Sequence, residues 1–299
     1  MPRRTASTTA KLSVAEETFR LWQQLAAYPA SRTDAALRHL LRWIAETVDA
    51  DNVIWIGAVR ALHGAAARSD AFRGWRLRLR EPLHRDAASY RRRLAAYLFR
   101  EHYGKLTPTY YDRSHAAHEE AHIGLAARAL LAGAGRFQLH RLRDGWIDFP
   151  AFRRSLHYRI YYRDQRIADR IWIAVPVTAD REAVFLIDRR QVPGAPRRRH
   201  FSRREAELPG DALRAIPWFH RRLLLDCGLL AGDKPLSPTE RRVLRGLLTG
   251  RPEKDLAARL GQAPATLHHY VKALYRHFGV GGRAGLMALW LDGAAPPPV

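Results

Sequence analysis

The chain has 299 residues, 47% of them hydrophobic, and a formal net charge of +22 at neutral pH. That length fits one large domain or two unequal ones, and the longest strongly apolar run, IWIAVPV at 171–177, is far too short to span a bilayer. A single cysteine, Cys227, excludes an internal disulfide and cysteine-rich zinc modules; no apolar core follows the basic N-terminus as in a secretory signal, so a soluble cytoplasmic protein is expected. The charge excess points to polyanions, nucleic acid ahead of a membrane surface. Arginine outnumbers lysine by 46 to 5, however, a skew that GC-rich codon usage alone can produce, so charge is no proof of nucleic-acid binding.

Residues 1–12 read as a disordered tail. Apolar residues at three- and four-residue spacing then predict two helices within 13–49, SVAEETFRLWQQLAAY and DAALRHLLRWIAETVD, separated by Pro29 and Ser31. NVIWIGAVRAL at 52–62 is rich in β-branched and aromatic residues, and in GWRLRLR Trp75, Leu77 and Leu79 alternate with arginines, which predicts a pair of strands. Residues 84–132 turn helical again, with a break near Pro108. Four strand-like runs follow, RFQLHRLR, HYRIYY, RIWIAVPV and EAVFLIDRR, with Asp144-Gly145 and Asp164-Gln165 as turn candidates. After the linker VPGAPRRRHF, Ser202 and Glu205 form a capping-box pattern that opens a helical stretch, interrupted at Pro209 and Pro217, to about residue 230. AGDKP at 231–235 is a short polar hinge, and the end of the chain, 293–299, reads as a second disordered tail.

The segment 236–292 carries the most information. In LSPTERRVLRGLLTG, Ser237 is the N-cap, Pro238 takes the first helical position and Glu240 completes a capping box, while Val243, Leu244, Leu247 and Leu248 form an apolar stripe ended by Gly250. RPEKDLAARLG is a shorter helix closed by Gly261, and PATLHHYVKALYRHFGV follows after three residues, which makes a helix-turn-helix. Leu267, Val271, Leu274 and Phe278 are spaced to face a core. His268, His269, Lys272 and Arg276 fall on the other side, a short, basic, hydrogen-bonding surface of the kind that lies in a major groove.

LSPTERRVL, GRPEKDLA, the Leu260-Gly261 pair and TLHHYVKALYRHFGV together resemble the LuxR/GerE-type DNA-binding domain over about 55 residues. The resemblance implies a four-helix fold in which Glu240 is a buried polar anchor, Lys254 contacts a phosphate and Thr266 contacts DNA near the start of the recognition helix, about 264–278. It also puts His268, His269, Lys272 and Arg276 where bases and backbone are met, and gives Leu244, Leu267, Val271 and Gly279 structural roles. The sequence departs from the family at Ala263, where an N-cap serine or threonine is usual, and at His268, where lysine is frequent. Implied partners are an operator duplex bound by a homodimer, RNA polymerase, and an activator's small-molecule effector.

For residues 13–230 the element order lacks the regular βα alternation of a receiver domain. RIWIAVPV, EAVFLIDRR and FSRREAEL resemble the paired strands and closing helix of GAF-type or PAS-type sensors, which implies an α+β domain with a mixed or antiparallel sheet and flanking helices, with no ligand signature. The aromatic and aspartate pattern of acyl-homoserine-lactone-binding domains is not found. An aromatic-lined cavity is expected, with Trp55, Trp75 and Trp172 as candidates. HEEAH at 118–122 offers a competing reading, a zinc hydrolase in which His118 and His122 hold the metal and Glu119 polarises its water. Leu125 and Arg128 stand where a metzincin continues with glycine and a third histidine, so the motif reads as a polar helix face. His115, His118 and His122 share that face as candidate ligands of a sensory metal. The reading drawn from the sequence is a DNA-binding regulator without a cofactor and without enzymatic activity.

Overall fold

The computed structural model describes residues 14–70, 72–84, 125–194, 196 and 199–291. Both tails and the HEEAH stretch, with His115, His118 and His122, lie outside the described residues.

Two amphipathic helices, α1 (Val14–Ala27) and α2 (Thr33–Thr47), open the fold, joined through the turn Ala30–Arg32. They lie on a five-stranded antiparallel sheet built from β1 (Asn52–Arg60), β2 (Trp75–Pro82), β3 (Gln138–Arg141), β4 (Ile167–Thr178) and β5 (Arg181–Arg190), in the order β2-β1-β5-β4-β3. A short helix, α3 (Gly64–Ser69), links β1 to β2. Helix α4 (Phe149–Arg154) lies between β3 and β4; α5 (Arg203–Arg214) and α6 (Pro217–Asp226) follow β5. The Ser202–Glu205 capping box starts α5 as the spacing predicts, but Pro209 sits inside that helix without ending it.

Strand alternation separates two cores. Val53, Trp55, Ile171, Ile173, Phe185 and Ile187 face α1, α2, α5 and α6, whereas Trp172 and Ile167 face the opposite way, onto Phe152, Tyr161 and Tyr162. Trp55 pairs with Phe185 in the sheet and Trp172 with Leu186, so the two tryptophans lie on opposite faces and do not line one cavity. Each fills a core. The run HYRIYY, expected as a strand, is helical instead: a turn at Leu156–Tyr158 leads into a π-helical turn at Arg159–Arg163. Tyr158 and Tyr162 stack at 5.4 Å and Tyr162 rests near Trp172, so burial of rings four residues apart outweighs their strand propensity.

Inward-pointing charges are held by partners. Arg189, fully buried on β5, donates to the Val48 and Asp49 carbonyls and to Glu205 at 2.6 Å, and lies 4.0 Å from the Phe201 ring. Arg170 grips Asp188 with two hydrogen bonds, and Asp169 accepts from the Phe201 N–H. Arginine-rich strands stay in the sheet where carboxylates, carbonyls and ring faces meet the buried guanidiniums.

Candidate nucleic-acid interface

Four helices follow the sheet region: α7 (Pro238–Leu247), α8 (Glu253–Leu260), α9 (Pro264–His277) and α10 (Arg283–Leu291). The capping box forms at the start of α7, where Ser237 Oγ accepts the Glu240 N–H and the Glu240 carboxylate accepts the Ser237 N–H at 2.7 Å. Glu240 is half-buried in that role and not fully buried. Helix α8 ends in a left-handed turn at Gly261, φ +63°, a conformation that strains any residue with a Cβ. Gly279, φ +64°, does the same after α9. Leu244, Leu267, Val271, Leu274 and Phe278 form one apolar core, so α9 packs on α7 and α8 through the stripe that its spacing predicts. Burying four such side chains from one helix stabilises the module by about 1.5–3 kcal/mol each.

The opposite side of α9 is open. Thr266, His268, His269, Lys272 and Arg276 are exposed together, with Lys254 exposed in the first turn of α8. The helix-turn-helix therefore brings all six residues of the expected DNA-binding set to the protein surface. His268 has a partner that spacing does not reveal: its Nδ1 lies 3.0 Å from Glu253 Oε2, which joins the starts of the two helices. Arg283 is a further residue that sequence reasoning misses. Its guanidinium donates to the carbonyls of Leu247 and Arg251, closing the end of α7 against the start of α10. Nothing in its sequence neighbourhood marks it, because carbonyl acceptors have no side-chain signature.

A dense polar contact ties this module to the sheet region. Arg245 of α7 donates to Asp226 of α6 at 2.5 and 2.8 Å and lies 3.1 Å from Asp34 of α2, while Arg241 reaches Glu81 of β2 at 2.8 Å. Burial pushes the Asp226 carboxyl above its ordinary value, against the Arg245 hydrogen bonds. The connection itself is held. Arg181 donates to Leu229 O and Asp233, Leu236 N–H to Cys227 O, and His277 Nε2 lies 2.8 Å from Gly228 O. Gly228, at φ +78°, lets His277 approach; a Cβ there would meet its Nε2 at 2.7 Å.

No helix among the described residues is long and apolar enough to cross a membrane. Residues 234–289 match the family model of bacterial regulatory proteins, luxR family (GerE), so this segment is a LuxR-family helix-turn-helix domain. No curated protein matches the chain. Among solved structures, SdiA in complex with octanoyl-rac-glycerol aligns with a TM-score of 0.40 at 10% identity, over 93% of this chain and 94% of that one. A crystal structure of Escherichia coli SdiA aligns with a TM-score of 0.42 at 10% identity, over 94% and 98%.

Proposed function

We propose that the chain is a sequence-specific transcriptional regulator that binds operator DNA with α9 in the major groove, two modules of a homodimer meeting two half-sites. One observation carries this reading: in a LuxR-family domain, Thr266, His268, His269, Lys272 and Arg276 stand exposed on one side of α9 while its other side is locked into the module core. Such a helix offers donors to phosphates and to base edges without giving up packing. Residues 13–230 act as the sensor, and 231–235 is the connection through which the sensor's state reaches the module. The ionic contacts of Arg245 and Arg241 with the sheet region support that coupling, because a shift of α2, α6 or β2 changes what holds α7. A small-molecule effector fits this layout.

The test is selection of fragments from a random duplex library by the full chain, followed by gel-shift titration of the enriched sequence. One enriched motif is expected, with binding at least about tenfold weaker for His269→Ala with Lys272→Ala. Retention of all sequences alike, with the double variant unaffected, overturns the reading.

A further inference from the structure

Helix α4 and the π-helical turn at Arg159–Arg163 build a second cationic surface, on the sheet face opposite the helices that carry the module. A cleft of about 690 Å³ opens there among Arg143, Arg153, Arg154, Arg159 and Arg163. Only Arg163 has a carboxylate within ion-pair distance among the described residues, Asp164 at 3.6 Å. The arginines withdrawn from water differ: Arg76, Arg170, Arg181, Arg189, Arg241 and Arg245 all meet acids. A codon bias that raises the number of arginines does not gather five of them, mostly without acids, around one concavity.

The cleft is also held in shape. Arg143 lies 4.4 Å over the Phe149 ring, Phe149 meets Tyr158 edge-on, and Tyr158 stacks on buried Tyr162. Ser155 Oγ donates to Phe152 O at 2.7 Å and accepts the Tyr158 N–H at 3.1 Å, fixing the bend between α4 and the next turn. The Asp164 N–H reaches back five residues to Arg159 O and closes the wide turn that presents Arg159 and Arg163 to the cleft.

We propose that this cleft binds a small molecule carrying an oligophosphate group. Guanidiniums pair with phosphate oxygens in a two-pronged geometry, and adjacent phosphates supply several negative charges within the span of one cleft, which relieves the mutual repulsion of the arginines. The volume lies in the range of small-molecule sites. The module that carries α9 packs with the core on the other face of the sheet, and a concave cleft suits a compact ligand better than a cylinder. Binding here is independent of whether the chain binds DNA, and is measured without it.

Inorganic tripolyphosphate titrated calorimetrically into the full chain should bind saturably, one equivalent per chain. Arg153→Gln with Arg159→Gln should weaken it at least about tenfold. Arg20→Gln with Arg38→Gln and Arg42→Gln removes more charge from exposed sites on α1 and α2 and should change it less than twofold. Melting curves confirm that each variant folds; Arg154→Gln with Arg163→Gln serves if the first pair does not. Absence of saturable binding, equal losses in the cleft and control variants, or citrate binding as tightly as tripolyphosphate would each overturn the proposal. So would a cleft variant that binds a 20-base-pair duplex more weakly while tripolyphosphate is not bound at all.

Discussion

Arginine does opposite work in two regions of this protein. Where α7 meets the sheet region, Arg245 and Arg241 are largely withdrawn from water and each faces carboxylates, Asp226 and Asp34 for one and Glu81 for the other. On α9 and around the α4 cleft Lys272, Arg276 and five further arginines stand in water, and among the described residues the one acid within ion-pair distance of them is Asp164, next to Arg163. Paired, buried charge is committed to holding the fold, since removing one partner strands the other in a poor solvent. Unpaired, exposed charge costs little and stays available to an anion. Net charge alone therefore says nothing about where a polyanion binds.

The largest effect should come from the paired side. Arg245→Ala leaves Asp226, 4% exposed, without its main partner, and should lower unfolding stability by about 3 kcal/mol or more in urea titrations. Adding Asp226→Asn to that variant removes the stranded charge and should restore a substantial part of the loss. A single-variant loss below about 1 kcal/mol would erase the contrast, by putting this pair among ordinary surface pairs.

Glu182 tests the same contrast with a buried acid that has no cation within ion-pair distance among the described residues. It is 5% exposed at the start of β5, burial raises its carboxyl to about 7, and the Gly135 N–H donates to it. A raised acid contributes its stability below the ordinary value of 4.5 and loses it as pH rises to about 7, because the fold then holds a charge that water would solvate better. Glu182→Gln keeps an acceptor for Gly135 and removes that charge. The variant should match the parent near pH 4 and exceed it by about 2–3 kcal/mol at pH 8, read from denaturation at both pH values. A constant difference across that range would show that Glu182 does not titrate as a buried group.

On the exposed side, Lys272→Ala should leave stability within about 0.5 kcal/mol. It should weaken operator binding about tenfold and reduce the slope of log affinity against log salt by about one, as expected when one phosphate is no longer neutralised by a lysine. A stability loss above about 1 kcal/mol with unchanged binding would make Lys272 a residue that holds the module together. The smallest change concerns Ala263, which caps α9 in an extended conformation with no side-chain hydrogen bond. Ala263→Ser supplies an acceptor for the first-turn N–H groups and should raise the melting temperature, by an amount equivalent to about 1 kcal/mol. No gain would mean that those groups are already satisfied in the free protein.

Much of the helical module is legible in the sequence because its signals are local. Ser237 and Glu240 satisfy each other three residues apart, Gly261 and Gly279 mark left-handed turns, and the stripe Leu267, Val271, Leu274 and Phe278 needs only helical periodicity to be read. The same holds for β1, β4, β5 and the capping box that opens α5. Tertiary structure alone decided the rest. The aromatic run at 157–162 became a helical turn, because Trp172 offers its rings a partner that no window of sequence contains. Trp55 and Trp172 parted to opposite faces through strand registry, and Asp226, Asp34 and Glu81 met the arginines of α7 from three separate elements, α6, α2 and β2. Periodicity reports which side of an element is apolar. Which charges meet, and which stay open to an anion, depends on where distant elements come to rest.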